Sequence, residues 1–398
     1  MIAADYGDKL PENIIPLEGY GVSVVKSAVI YGANASGKSN LLKAMVDAAD
    51  FIIRNLERSR DEALPHPYNK NYEGNNDSPT QYIFGIFVKQ TYFEYRFSYT
   101  DIQIFEEQLI EFSPDSQKCH FYRQYNPQTK KYDWLEISNE FKERVDIFKL
   151  TLNKANLFLS ILANLDDDND LKSGIIDDIY TWFKKRFAFD TNFESPGRMN
   201  YLYSLVGIEM NNEVKNLMLK LLKKSDFLIK DFKVEIEQDS DDDRISAKTY
   251  HQGKDIQGQE TLVEYDFFEE ESVGTQQFVA WIVPWLLTVM KNYVMVIDEF
   301  GNNMHPLLAE SLLDFFHERS DKAQLIFTTH DVKLMNREQL RDDQIWFVNR
   351  DKTGNSTLEP FSNYDIEEDK LLDYVYLQGV LGGVPQIETA LPELATKE

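Results

Sequence analysis

Cysteine is nearly absent: Cys119 is the only one in 398 residues. That excludes an internal disulfide and a cysteine-built metal site, and it leads to the expectation of a reducing, cytoplasmic setting. Histidine is scarce as well. The six histidines show no ligand spacing, so Cys119 and its neighbour His120 read as an ordinary thiol and imidazole. Long apolar runs are missing. The most apolar stretch, "FVAWIVPWLLTVM" from Phe278 to Met290, falls short of the ~20 residues that span a bilayer. It reads as a buried helix bent or interrupted at Pro284, and no membrane role is expected. The opening "MIAADYGDKLPENIIP" has neither a basic region nor an apolar stretch, so a signal peptide is not expected. Basic residues are also in deficit. Lysine and arginine number 42 against 67 acidic residues, a net charge of −25, which repels nucleic acid on average and favours solubility.

Core-forming residues are abundant. Hydrophobic residues make up 42% of the chain and aromatics 13%, which excludes a disordered protein and allows one large or two to three smaller units. The run 22–31 reads as a strand, followed by a helix from Ser39 with apolar residues at helical spacing. Beyond a polar Asn/Pro/Gly loop come alternating aromatic strands, "QYIFGIFV", "YFEYRFSY", "QLIEFS" and "CHFYRQY", an antiparallel layer ending near Trp134. From Ile137 to about Leu228 the pattern is helical. Strands return at "IKDFKVEIEQ", "ISAKTYH" and "TLVEYDFFE". The last third alternates helix and strand, which implies a mostly parallel sheet. Acidic runs at Asp166–Asp170 and Asp239–Asp243 read as solvated loops rather than metal sites. The organisation predicted is an N-terminal lobe (1–136), a helical insertion (137–228) and a C-terminal lobe (229–398).

Four segments carry chemistry. "VIYGANASGKSNLL" (29–42) fits G-x-x-x-x-G-K-[ST] between a strand and a helix, the context that makes it a phosphate-binding loop. Gly32 and Gly37 let the backbone wind around an anion, Lys38 supplies charge to the phosphates, and the Ser39 hydroxyl is placed for Mg²⁺. "YVMVIDEF" (293–300) is a buried strand running into two carboxylates. Asp298 would hold the Mg²⁺ shell and Glu299 would orient or deprotonate the attacking water; the alternative is a strand ending in an acidic turn. "LIFTTHD" places His330 where another buried strand emerges, either to contact a γ-phosphate or to be satisfied in a turn. "EESVGTQQFVAW" (270–281) opens a helix with Ser272 and Thr275, as an anion site or as a plain cap.

The order of phosphate loop, Ser-x-Gly-Thr helix, "VIDE" strand, "HP" and "TTHD" resembles the ABC-type head shared by SMC proteins, RecF and OLD-family ATPases. More narrowly, "YGANASGKSNLLKAM", "ESVGTQQF", "MHPLLAESLLDFF", "AQLIFTTHD", "DQIWFVNRD" and "YLQGVLGGVP" look like the stand-alone AAA-labelled ATPases of bacterial defence loci. These include RloA-like proteins and the ATPase subunit of PARIS-type anti-phage systems. The likeness spans most of the chain and is strongest from Ala28 to Val46 and from Glu271 to Pro385.

The resemblance implies an α/β fold: an ABC-type P-loop NTPase head with an antiparallel β layer, a mixed or parallel core sheet and a helical insertion. It implies ATP and Mg²⁺ as ligands. Ser272 and Gly274 match the signature motif that touches the γ-phosphate held by a partner head, which implies a homodimer or higher homo-oligomer. His330 matches the switch histidine, Glu299 the catalytic glutamate and Asn34 the loop asparagine. Ala35, Ser36 and Asn40 complete the nucleotide-binding stretch. Three departures stand out. Family members usually open on a strand like "NFRSF", and this chain has "MIAADYGDKL" instead. "GNNMHP" replaces an "LDNSLHP"-like segment, which touches Asn302 and Asn303. The glutamine loop is reduced to one candidate, Gln81. The insertion lacks the sustained heptads of an SMC arm.

The function expected first is a nucleotide-dependent sensor or switch in anti-phage defence, responding to a phage trigger protein and controlling a separate toxic effector. The stretch after His330 lacks the carboxylates of a Toprim nuclease, so a Toprim-like or other nuclease would be another chain. The alternative is a RecF- or SMC-like repair clamp closing on DNA. The acidic balance disfavours nucleic acid, while the lysines at 215, 220, 223 and 224 keep it open. A transporter ATPase lacks an LSGGQ sequence here. A dead nucleotide module would require loss of Lys38, Asp298 or Glu299, and all three are present.

Overall fold

A computed structural model describes residues 3, 9–57, 63–67, 77–149, 152–166, 171–186, 212–224, 228–237, 244–302, 304–367 and 370–382. The first described strands, β1 (Ile14–Leu17) and β2 (Val22–Val25), form an antiparallel hairpin. The single strand expected over 22–31 is two, because β3 (Ser27–Gly32) leaves the hairpin for another sheet. The break falls at Lys26, a buried lysine whose ammonium donates to the carbonyls of His317 at 2.9 Å and Ser320 at 2.6 Å.

After β3 comes α1 (Lys38–Arg54), and then the aromatic stretch folds as expected into an antiparallel meander. Its strands are β4 (Thr80–Val88), β5 (Thr91–Tyr99), β6 (Ile104–Ser113), β7 (Ser116–Asn126) and β8 (Lys131–Ile137), neighbours in chain order. Among the described residues, the helices α2 (Asn139–Phe148), α3 (Phe158–Ala163) and α4 (Gly174–Arg186) follow. Their apolar residues join those of the meander and α1 in one core, including Phe51, Phe97, Phe121, Phe158 and Phe183. A wholly buried ion pair sits inside it. Glu107 accepts from Arg123 Nε at 2.9 Å, from the Tyr95 hydroxyl at 2.9 Å and from the amides of Phe158 and Leu159 at 2.7 and 2.9 Å. The carboxylate thereby caps α3, and these hydrogen bonds offset its desolvation.

The second half builds another core. Helix α5 (Asn212–Lys224) packs on an antiparallel sheet of β9 (Ile229–Glu237), β10 (Arg244–Lys254) and β11 (Glu260–Asp266). Next come α6 (Val273–Lys291), β12 (Val294–Ile297), α7 (Pro306–Arg319), β13 (Gln324–Thr328), β14 (Ile345–Arg350), β15 (Ser356–Pro360) and α8 (Leu372–Leu377). Helix α6 runs unbroken through Pro284.

The core sheet has the order β12-β13-β3-β14-β15; its first four strands are parallel and β15 is antiparallel to β14. Strand parity sorts its side chains. Val29, Tyr31, Met295, Ile297, Leu325, Phe327, Ile345 and Phe347 face the core shared with α5, α6 and α7. Ile30, Val294, Val296 and Val348 face α1 through Leu42. Burial on both faces explains the unbroken apolar runs read in the sequence.

The stretch 137–228 divides its packing. Helices α2 to α4 contribute to the first core, whereas Val214, Met218 and Leu222 of α5 belong to the second. Of the two acidic runs, all but Asp166 lies outside the described residues. Among the described residues, no helix is long and apolar enough to cross a membrane.

Candidate functional site

The phosphate loop leaves the C-terminal end of β3, in the middle of the core sheet, and ends where α1 begins. Both of its glycines are required by space. A Cβ on Gly32 would lie 2.6 Å from Ser36 Oγ and 2.8 Å from the Val348 carbonyl oxygen. Gly37 has φ +106°, and a Cβ there would lie 2.7 Å from Ser356 Oγ. Ala35 adopts a left-handed φ of 60° without being glycine. Lys38 is the first residue of α1 and is buried. Its ammonium donates to the carbonyls of Gly32 at 2.8 Å and Ala33 at 3.1 Å, folding the side chain back over the loop. Asn34, Ala35, Ser39 and Asn40 are exposed at the rim, while Ser36 is buried and its Oγ has no hydrogen-bond partner among the described residues.

The two carboxylates follow β12, and the adjacent strand organises them. Thr328, at the end of β13, donates its hydroxyl to Asp298 and accepts the Glu299 amide at 2.8 Å. Thr329 donates to the Phe300 carbonyl at 2.8 Å. Glu299 sits at φ 54°, and its carboxylate accepts from Asn302 Nδ2 at 3.0 Å. A non-glycine residue held left-handed by its neighbours is strained, and such strain clusters at working sites. Asn303 lies outside the described residues.

Electrostatics tie these groups together. Burial draws the Lys38 ammonium below its usual pKa, opposed by the charges of Asp298 and Glu299. His330, just past β13, is lowered by desolvation and by Lys38, and opposed by Glu299 and Asp298. Lys38, Asp298, Glu299 and His330 therefore share one electrostatic neighbourhood at the C-terminal edge of the parallel strands, where ligands bind in open α/β sheets. A buried cation, a Ser36 hydroxyl without a partner and a loop too tight for Cβ atoms fit a phosphate chain. Among the described residues, no group of three or more His, Cys, Asp or Glu is poised for a metal. A divalent ion here would draw on Ser39, Asp298 and phosphate oxygens, which suits Mg²⁺.

Other positions lie apart. Ser272 caps α6 by accepting the Thr275 amide at 3.1 Å, and its hydrogen bonds stay within that turn. A Cβ on Gly274 would meet only Ser272 Oγ, at 3.8 Å, so the turn is open on that side. Among the described residues, no hydrogen bond or ion pair carries Ser272 or Gly274 to the phosphate loop of the same chain. Gln81 is exposed on β4, opposite Ser98 of β5.

Two residues absent from the motif reading support the loop from outside. Arg350 donates to the Ala35 carbonyl at 3.0 Å, and Ser356 Oγ to the Ser36 carbonyl at 2.6 Å. Both come from the β14–β15 hairpin, more than 300 positions away, and no local signal marks them. Holding those carbonyls outward helps set how the loop presents its amides.

A family model described as "AAA domain, putative AbiEii toxin, Type IV TA system" matches residues 27–336. An uncharacterized protein of Methanocaldococcus jannaschii is 29% identical over 110 residues, which is 26% of this chain and 27% of that protein. The chain thus spans about a quarter of that relative's length. Similar solved structures include an SMC head bound to the C-terminal winged-helix domain of ScpA (14% identical, TM-score 0.37, covering 88% of this chain and 97% of that one). The SMC head domain from Thermotoga maritima is 13% identical with a TM-score of 0.34, covering 89% of this chain and 97% of that one. These likenesses are loose in sequence and superposition. The α/β P-loop architecture described above stands on the strand order and the loop geometry of this chain.

Proposed function

The chain belongs to the AAA-domain family described as a putative AbiEii toxin of a type IV toxin–antitoxin system, and from that premise we propose that it is an ATPase whose nucleotide state switches a separate effector in anti-phage defence. The observation that supports this best is the convergence of Lys38, Asp298, Glu299 and His330 beside the phosphate loop. ATP is the substrate. Lys38 and the loop amides hold its phosphates, with the Ser36 hydroxyl available to donate. Ser39 and Asp298 would hold Mg²⁺, which would offset charge on the phosphate oxygens. Glu299, aimed by Thr328 and Asn302, orients and deprotonates the attacking water. His330, whose imidazole is drawn below its usual pKa by burial and by Lys38, donates to the γ-phosphate side.

The site is composite in this reading. Ser272 and Gly274 have no role at their own chain's loop, so they face the loop of another copy. Two heads closed on ATP and two open heads are distinct shapes, and a partner that prefers one is released by the other. The fit to RloA-like and PARIS-type ATPases rests on the motifs quoted above, with a nuclease as the effector and a phage protein as the trigger. A DNA clamp is less well supported. Lys215 of α5 is engaged with Asp231 at 3.3 Å, and the net charge is −25.

The test uses the Glu299→Gln and Lys38→Ala proteins with Mg·ATP. The product of the adjacent gene is expected to co-purify with them to different extents. Equal recovery in both states, together with tight duplex-DNA binding at near-physiological salt, would replace the switch by the repair clamp.

A further inference from the structure

The turn that carries Ser272 is fastened from behind. Glu271, the residue before it, has a side chain only 9% exposed although it is a carboxylate at the edge of a helix. One of its oxygens, Oε1, takes two hydrogen bonds at 2.5 Å, from the Thr249 hydroxyl and from His251 Nε2. Thr249 and His251 are two apart on β10, so they project from the same face of that strand. Thr249 is wholly buried, and the His251 ring packs edge-on against Tyr265 of β11 at 4.7 Å. The β9–β10 register shift at Tyr250/His251 skips Lys230 of β9, so β10 keeps its regular alternation through Thr249 and His251. The backbone of Glu271 is held too: Gln276 Nε2 reaches its carbonyl at 3.0 Å and that of Phe268 at 3.0 Å.

Nothing in the nucleotide chemistry of a single head uses this cluster. A simple helix cap would need only Ser272 and Thr275. We infer that Thr249, His251 and Glu271 form a positioning device that couples the β9–β11 sheet to the Ser272–Gly274 turn and presents that turn to nucleotide bound by a second copy. The inference rests on the composite-site reading. Its consequence is a specific division of labour. ATP affinity of one head depends on the phosphate loop, whereas ATP-driven assembly depends on the strand β10 clamp. Movement of the β9–β11 sheet then alters turnover without touching the ATP-binding residues.

The experiment compares Glu271→Ala, Glu271→Gln, Thr249→Val and Ser272→Arg, each also in the Glu299→Gln background. A fluorescent ATP analogue reports binding at Lys38 and doubles as a check of folding. Light scattering with Mg·ATP reports assembly, and steady-state hydrolysis supplies KM and kcat. Glu271→Ala and Thr249→Val should bind nucleotide within about twofold of the parent, fail to assemble, and lose kcat about tenfold or more. Glu271→Gln keeps the acceptor oxygen and should restore both. If Ser272→Arg blocks assembly while Glu271→Ala and Thr249→Val assemble and turn over normally, the positioning role is overturned and the composite site stands. If Ser272→Arg is also without effect, the composite site falls and the inference falls with it.

Discussion

Lys38 and Glu299 lie in one electrostatic neighbourhood yet should fail differently when changed. Lys38→Ala removes a buried cation that neutralises phosphate in the ground state, so ATP binding should vanish. Glu299→Gln leaves the phosphate contacts and removes the proposed base, so ATP should bind while kcat falls about a hundredfold or more. Titration of a fluorescent nucleotide beside a turnover assay separates them; equal loss of binding in both would make Glu299 structural. Thr328 offers a finer test. Its hydroxyl bridges Asp298 and the Glu299 amide, and a hydrogen bond to a charged group is worth about 1.5–3 kcal/mol. Thr328→Val should cut kcat roughly ten- to hundredfold with KM for ATP little changed. Gly37 shows how two constraints meet at one residue. Ser356→Ala would remove the 2.7 Å contact with Oγ but keep Ser356 Cβ at 3.3 Å, and φ +106° would still oppose a Cβ at Gly37, so the Gly37→Ala, Ser356→Ala double variant should remain unable to bind a fluorescent ATP analogue.

At the scale of elements, α7 is locked to β3 by a buried polar network. The Ser27 hydroxyl accepts from Gln344 Nε2 at 2.7 Å and donates to His317 Nε2 at 2.8 Å, which needs that nitrogen unprotonated. Burial, with the nearby Lys26 charge, accordingly lowers the His317 pKa to about 3 from its usual 6.5. As pH falls, the unfolded chain takes up this proton first. The His317 contribution to stability is therefore complete above pH 6.5 and is lost progressively toward pH 3. Chemical denaturation at pH 7 and pH 4.5 should show a steeper loss for the parent than for His317→Gln. An equal loss in the two proteins would mean that His317 is not held neutral. Lys26, whose pKa is lowered chiefly by burial, closes the same joint by donating to carbonyls at the C-terminal end of α7.

For the whole molecule, the −25 charge works against the proposed composite site. Two copies this acidic repel one another, so in that proposal the contacts made across bound Mg·ATP would have to outweigh the repulsion. Glu299→Gln protein should rise in mass on adding Mg·ATP, and this should be clearer at 150 mM salt than at 20 mM, because screening weakens the repulsion. Light scattering at the two salt concentrations checks this. Assembly that is strongest at low salt would point to attractive surface patches instead. The same charge makes duplex-DNA binding at near-physiological salt an unexpected result, since phosphate contacts would be both few and salt-labile.

Much of this was legible in the sequence because the signals are local. The glycines and lysine of the phosphate loop, the apolar run into Asp298 and Glu299, and the aromatic alternation of the meander each depend on residues near one another in the chain, and periodicity reports them directly. Strand 22–31 misled because its interruption at Lys26 answers to carbonyls nearly 300 positions away. The same holds for the parts of the site that carry no motif. Arg350 and Ser356 reach the loop only because β14 lies beside β3, and Thr328 orders the two carboxylates only because β13 lies between β12 and β3. Thr249 and His251 reach Glu271 only because β10 folds back toward the start of α6. The sequence alone determined the phosphate-loop motif, the acidic strand end and the elements that bear them. Tertiary structure decided how those groups are held, because strand order brings together residues that no local pattern relates.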